Sequence, residues 1–246
     1  MTAAVEPTAA WRALVEAASA PYRAADKFAW HFARGKLGGD PVFRHVLERG
    51  LLKADSRILD IGCGQGLLAS LLQACGVAAR AKRWPTSWAA APAGVHVTGI
   101  ELMPHDIKRC EIALGGAATF VCGDMRTVEF PQVDAVVIFD ALHYIAPADQ
   151  DAVLARVRGA LKAGGLLLLR VGNASKKRRF ALGQWIDRVS MALRGGGFIP
   201  LAGRPPEQWA ETLRKLGFDV ELVPMNGRPP FSNFLLIGRV RADTPA

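Results

Sequence analysis

Short runs of apolar residues alternate along this chain with longer stretches whose apolar positions recur every three or four residues. The short runs are Arg57–Ile61, Val95–Ile100, Thr119–Cys122, Val133–Phe139 and Leu166–Val171, all of strand length. Each of the first four ends in or next to an acid: Asp60, Glu101, Asp124 and Asp140. Leu166–Val171 reads as a fully apolar fifth strand. Between the runs the spacing predicts helices from Gly66 to about Cys75, from Pro104 to Leu114, and from Pro147 to Lys162, the last closing on Ala163-Gly164-Gly165. Such regular alternation predicts a parallel sheet with crossover helices, the arrangement of an α/β domain. Val77–Gly94, rich in alanine, proline and tryptophan, reads as an irregular excursion.

The two ends of the chain depart from this rhythm. Residues 1–50 read as a helical cap or lid ahead of the sheet. Trp11, Leu14 and Val15 fall at helical spacing before Pro21. Phe28, Trp30, His31 and Phe32 lie in a second segment, interrupted by Gly35, Gly38 and Gly39. Asp40-Pro41 then supplies an N-cap and a first-turn proline for a helix to about Gly50. In the domain of residues 51–246, positions 173–204 read as a lid-like insertion. It carries Lys176-Lys177-Arg178-Arg179, an amphipathic run from Phe180 to Phe198, and Gly195-Gly196-Gly197. Pro205-Pro206-Glu207 opens a helix ending at Gly217, and Phe218–Val223 pairs with Phe231–Val240 as a hairpin around residues 226–230.

Composition narrows the class. With 246 residues, 50% hydrophobic and 22% charged, the chain can bury one sizeable core. No apolar run approaches the ~20 residues of a membrane-spanning helix. Met1–Ala10 lacks the basic-then-apolar order of a secretory signal, so a cytoplasmic protein is expected. Cys63, Cys75, Cys110 and Cys122 are scattered, without C-x-x-C pairs or zinc-spaced histidines, which predicts reduced, mostly buried thiols and no metal. The net charge of +9 favours acidic partners, whether nucleic acid, an anionic membrane surface or an acidic carrier protein. A solvated basic face accounts for the same charge equally well.

The chemistry concentrates at Asp60-Ile61-Gly62-Cys63-Gly64-Gln65-Gly66, between the first strand and its helix. Glycine allows a sharp turn and close approach of backbone to ligand, and the helix that follows points free N–H groups at it. This is the nucleotide-binding turn of an open α/β sheet. The spacing Asp-x-Gly-x-Gly-x-Gly resembles the first motif of the class I S-adenosylmethionine-dependent methyltransferases, rather than the Gly-x-Gly-x-x-Gly turn of dinucleotide dehydrogenases.

That resemblance implies a Rossmann-like, three-layer αβα fold whose seven-stranded sheet is parallel apart from a terminal antiparallel hairpin. It implies S-adenosyl-L-methionine as cofactor and S-adenosyl-L-homocysteine as product. Carried residue by residue, it gives Asp60, Gly62, Cys63, Gly64 and Gly66 to the cofactor loop, with Asp60 orienting the loop or lying near the methionine amino group. Glu101, ending strand two with Leu102 after it, takes the ribose hydroxyls. Glu101 lies well beyond the ~20 residues usual after a glycine turn. The 77–94 excursion explains the interval, and the alternative acid, Asp106, follows Pro104 inside a helix. Gly123-Asp124-Met125 takes the adenine, and Asp140-Ala141 borders the methionyl part and the transferring methyl. The helical segment Lys27–Leu37 is similar to bacterial methyltransferases found beside polyketide-like and aryl-polyene biosynthetic genes.

The implied reaction is an in-line displacement at a methyl group whose leaving group is already good, so alignment and exclusion of water carry much of the catalysis. A base is needed mainly when the acceptor starts protonated. His143 is the candidate base because an imidazole titrates near neutrality, with packing beside the cofactor as its alternative role. Tyr144 either donates a hydrogen bond or lines the pocket. Tyr22 and His31 either cover the cofactor as a lid or are ordinary core and surface residues. The expected acceptor is oxygen or carbon of a small metabolite, aromatic or carrier-tethered. No nucleic-acid module is visible, and the Asn/Asp-Pro-Pro-aromatic motif of base-methylating enzymes is absent after strand four. The basic, amphipathic 180–198 run allows a lid, peripheral membrane contact or plain packing. An NAD-dependent oxidoreductase and a non-catalytic cofactor-binding protein are the alternative readings.

Overall fold

The computed structural model describes residues 5–172, 202–225 and 233–242. The expectations for 176–194, for the 180–198 run, for most of 173–204 and for the 226–230 turn lie outside the described residues. The chain divides into two compact units, Met1–Gly123 and Asp124–Ala246.

In the first unit, β1 (Arg57–Ile61), β2 (His96–Glu101) and β3 (Thr119–Cys122) are parallel, with β2 between the other two. Ahead of them come α1 (Pro7–Ser19), a 3-10 turn (Ala20–Ala24), α2 (Lys27–Gly39) and α3 (Pro41–Glu48). Each of these α-helices begins on an acidic cap. Glu6 accepts from the N–H groups of Thr8 and Ala9, Asp26 from Ala29, and Asp40 from Val42. Two helices cross between the strands: α4 (Leu67–Arg80) and α5 (Pro104–Leu114). Leu67 to Leu72 are all buried, so α4 has no polar face there; α1 packs against it. Tyr22, Leu37, Leu47, Ile58, Leu59, Ile61, Leu71 and Leu72 form the core of this unit.

The second unit contains β4 (Val133–Phe139), α6 (Pro147–Ala160), β5 (Leu161–Gly172), α7 (Pro206–Lys215), β6 (Phe218–Met225) and β7 (Asn233–Val240). β4 and β5 are parallel, and β7 runs antiparallel to both β5 and β6. Val136, Val137, Leu167, Leu168, Leu169, Trp209, Leu213 and Phe218 fill its core. Burying a side chain of this size stabilises by roughly 1.5–3 kcal/mol. The sheet has seven strands in the order β3-β2-β1-β4-β5-β7-β6, as the resemblance implies.

Four local expectations are corrected. α2 runs through Gly35, Gly38 and Gly39, because its stripe Ala29, Ala33 and Leu37 is fully buried. That burial outweighs the cost of about 1 kcal/mol for glycine in a helix. A Cβ at Gly38 would make an ordinary contact with Val15 at 3.7 Å, and one at Gly35 or Gly39 would meet nothing within 4 Å, so no close approach requires these glycines. α4 continues past Cys75 to Arg80, leaving a shorter irregular excursion. α6 stops at Ala160, where Leu161 already pairs with Val133 as the start of β5. Lastly, β5 is not fully apolar: Arg170 lies in its buried stretch with 3% of its surface exposed.

Candidate functional site

In the first unit the turn from β1 to α4 is built by glycine. Gly62, Gly64 and Gly66 have φ of 73°, 55° and 78°, a left-handed region that other residues enter at a cost. The N–H groups of Gly62 and Cys63 donate to the carbonyl of Ile100 at 2.8 and 3.1 Å, tying the loop to the end of β2. A side chain on Gly66 would crowd Phe120, Cys110 and Leu114 at 3.0–3.1 Å, whereas nothing lies within 4 Å of a Cβ built on Gly64. The loop is therefore packed at its helix end and open at its middle glycine.

Glu101 closes this arrangement. Its Oε2 accepts from the Gly64 N–H at 2.9 Å and its Oε1 from the Met103 N–H at 3.0 Å. Each carboxylate oxygen has a second lone pair left to accept from another donor. Burial raises the pKa of Glu101, while the backbone N–H groups of Met103 and Gly64, donating to its carboxylate, pull it down. Leu102, next in the chain, is 54% exposed, an apolar surface at the end of β2. Gly123 is bound to the same strand end, its N–H donating to the Glu101 carbonyl at 2.9 Å. Asp60 is buried, and among the described residues no hydrogen bond supports its charged form. Burial first, and the charge of Glu101 second, push it up to about 7.

The N-terminal helices support the loop from behind. Tyr22, fully buried, donates its hydroxyl to the carbonyl of Gln65 at 2.7 Å. Gln65 in turn donates its side-chain amide to the carbonyl of Ala29, and Ser70 donates its hydroxyl to that of Ala18. Arg109 of α5 bridges Asp26 and Asp106 at 3.0 and 3.1 Å, holding the start of α2. Tyr22 is thus a core anchor and not a lid, while His31 is exposed with its ring 4.5 Å from that of Trp30. The thiols of Cys63 and Cys110 both reach the Gly64 carbonyl, at 3.6 and 3.4 Å. The neighbouring Cys110 thiol, then burial, hold Cys63 protonated far above the usual thiol range, so it serves as packing. The patterns around Gly62–Gly66 and Glu101 carried a sequence signal; the support roles of Gln65 and Arg109 offered none.

The second unit holds the other candidates in two turns. After β3, Asp124 receives both the guanidinium and the backbone N–H of Arg126, which lowers its pKa. Arg156 of α6 donates to the carbonyls of Met125, Arg126 and Val128 and so gathers that turn. After β4, Asp140 takes φ of 56°, an unusual value for a residue with a side chain. Its carboxylate is held by the buried Arg170, whose Nε donates to Oδ1 at 2.8 Å and whose Nη2 donates to Oδ2. Ala141 is buried behind Asp140, and a short turn of Leu142, His143 and Tyr144 follows. The fully buried Gln150 fastens it, donating to the carbonyls of Leu142, Ile145 and Ala202 at 3.1, 3.1 and 2.7 Å.

His143 and Tyr144 have ring centroids 4.2 Å apart. The Nε2 atom of His143 is buried with no hydrogen-bond partner among the described residues, and burial lowers its pKa to about 4. The imidazole is therefore neutral at pH 7, able to accept a proton but weakly basic. Among the described residues no group of three or more histidine, cysteine, aspartate or glutamate side chains is arranged to hold a metal ion, and no helix is long and apolar enough to cross a membrane.

These features were compared with known proteins. A family model described as a methyltransferase domain matches residues 29–223. The carboxy-S-adenosyl-L-methionine synthase of Chromohalobacter salexigens is 29% identical over 129 residues, which is 50% of this chain and 42% of that protein. The protein of the same name from Shewanella woodyi is 34% identical over 68 residues, 26% of this chain and 28% of its own length. The chain thus spans less than half the length of these curated relatives. Among solved structures, an O-methyltransferase family protein from Burkholderia thailandensis superposes with a TM-score of 0.59 at 20% identity, over 90% of this chain and 63% of that one. Human N-acetylserotonin methyltransferase, solved with S-adenosylmethionine, gives 0.54 at 18% identity, over 95% of this chain and 58% of its own. At these identities the superpositions show the fold.

Proposed function

Because the chain belongs to the class I S-adenosylmethionine-dependent methyltransferase family, we propose that the loop Gly62–Gly66 and Glu101 seat that cofactor for methyl transfer to a small metabolite. The observation that carries the reading is the hydrogen bond from the Gly64 N–H to Glu101, which fixes an open glycine loop against a carboxylate with lone pairs to spare.

The residues present suit the cofactor's parts. Glu101 has acceptor capacity for two sugar hydroxyls. Asp60, buried and unanswered, suits an ammonium group such as that of the methionyl end. Leu102 and Met125 offer apolar surface for the adenine. Asp124 shares its oxygens between Arg126 and the exocyclic amine, and the backbone of Asp140 and Ala141 borders the methionyl part. When bound, the cofactor supplies an electrophilic sulfonium methyl with a neutral thioether as leaving group. The protein's own contribution is alignment and dryness. His143, neutral at pH 7, accepts the proton of an acceptor hydroxyl or acidic carbon through Nε2, and Tyr144 lines the approach.

The acceptor in this reading is oxygen or carbon of a small, aromatic or carrier-tethered molecule, in a cytoplasmic setting. Carboxy-S-adenosyl-L-methionine synthases, by their name, make a derivative of the same cofactor, which supports the cofactor part of the reading. Family membership replaces the nicotinamide alternative. The test is calorimetric titration with S-adenosylhomocysteine. Wild type binds, and both Gly64→Arg and Glu101→Ala lose affinity by about a hundredfold or more. Unchanged affinity in both variants contradicts the assignment.

A further inference from the structure

We propose that Arg170 is a positioning residue for the methyl-bearing end of the site: its guanidinium holds Asp140 in the left-handed conformation from which the loop Asp140–Tyr144 departs. The inference rests on the reading above, which gives that loop to the methionyl part of the cofactor. A guanidinium costs several kcal/mol to bury and persists in an apolar strand only when well paired. Arg170 is nine-tenths and more buried in β5, in register with Phe139 at the end of β4. From there it meets both oxygens of Asp140, one strand over and one residue on. The backbones are joined as well, the Asp140 N–H donating to the Arg170 carbonyl at 3.4 Å. The guanidinium also lies 5.8 Å from the centre of the Phe139 ring, whose face restricts its swing.

The backbone of Asp140 gives the clamp something to hold. Asp140 takes φ of 56°, in the left-handed region that aspartate enters more readily than most residues with a side chain but still at a cost. The conformation lasts only where the surroundings over-determine it. The ion pair fixes the start of the loop, and Gln150 fixes its end through the carbonyls of Leu142 and Ile145. Ala141, buried between them, keeps its place only while both ends hold. Arg170 touches neither cofactor nor acceptor in this account. It acts through Asp140.

A comparison of two ligands isolates the effect. S-adenosylhomocysteine carries sugar, base and methionyl part, whereas 5′-deoxy-5′-methylthioadenosine carries sugar and base alone. Both are titrated into full-length wild type, Arg170→Met and Arg170→Lys by calorimetry, with ligand-observed NMR for the weaker ligand, and amide exchange is followed for peptides covering 140–145. In Arg170→Met, S-adenosylhomocysteine affinity falls about tenfold while methylthioadenosine affinity changes less than about threefold, because only the methionyl contacts are displaced. Amide exchange at 140–145 rises in the same variant. Arg170→Lys, which keeps the charge and loses the fork, is intermediate. A parallel fall for both ligands shows general destabilisation and overturns the inference, as does unchanged affinity for S-adenosylhomocysteine. If Arg170→Met does not fold, Arg170→Lys and Asp140→Asn carry the same comparison. Failure of wild type to bind either ligand overturns the functional reading itself, a result distinct from any loss of discrimination.

Discussion

The turn after β1 and the turn after β4 enter the same left-handed backbone region by opposite routes. After β1 three glycines adopt it at little cost, and hydrogen bonds to the Ile100 carbonyl and the Glu101 carboxylate tie the loop down. After β4 an aspartate adopts it under the hold of a buried arginine on the next strand. The first conformation belongs to the chain locally; the second belongs to the fold. The left-handed conformation of the glycine loop is therefore lost by changing the glycines or filling their space. The aspartate turn can be lost by changing a residue that never approaches the ligand.

The comparison breaks first at Arg170. Arg170→Met is expected to lower unfolding free energy by about 3 kcal/mol in urea, the scale of a buried ion pair losing one partner. An unchanged midpoint would make the two turns equivalent. Gly66→Ala comes next, at about 2–3 kcal/mol, because a positive φ is combined with crowding against Phe120, Cys110 and Leu114. Gly64→Ala costs about 1–2 kcal/mol from φ alone, since its Cβ meets open space. The same substitution should weaken S-adenosylhomocysteine binding by more than it weakens the fold. Equal denaturation losses at Gly64 and Gly66 would show that the middle of the loop is not open.

Two smaller effects follow from titration. Asp60 has its folded pKa raised to about 7 by burial and by Glu101, so whatever stability its protonated form contributes is complete below the unfolded value and is lost as pH rises through 7. An ammonium ligand reverses that preference by favouring the carboxylate. Cofactor affinity should thus rise between about pH 6 and pH 8, with proton release visible in buffers of different ionisation enthalpy, and Asp60→Asn should flatten the profile. A wild-type affinity independent of pH would remove Asp60 from the ammonium site. At His143 burial lowers the pKa to about 4, so the neutral ring's contribution to stability is present above the unfolded value and is lost as pH falls through 4. NMR should place its titration midpoint near 4, and a midpoint near 6.5 would show an imidazole open to solvent.

What could be read from the sequence follows the same division. β1, β3, β4 and α5 were legible to the residue, because apolar runs, acids at strand ends and Pro104 are local signals. The glycine loop and Glu101 were legible for the same reason, although the excursion before β2 stretched their spacing. Arg170 was not legible, since its partner lies 30 residues away and a cation inside an apolar run carries no sign of where it points. Gln150 and Arg156 escaped likewise: both act on backbone carbonyls, which leave no mark in side-chain patterns. Glycines misled in α2, where a buried stripe of Ala29, Ala33 and Leu37 overrides local propensity. Tyr22 was read from its place in the N-terminal segment as either a lid or a core or surface residue, and its partner, the main-chain carbonyl of Gln65, leaves no mark in side-chain patterns.

A crystal structure of the full chain grown with S-adenosylhomocysteine decides whether the glycine loop and Glu101 hold that cofactor. The expected density crosses the face of Gly64, with both sugar hydroxyls on Glu101, the ammonium facing Asp60 and the sulfur toward Ala141. Density at another place on the molecule, or a sugar bound with Glu101 turned away from it, would contradict the claim.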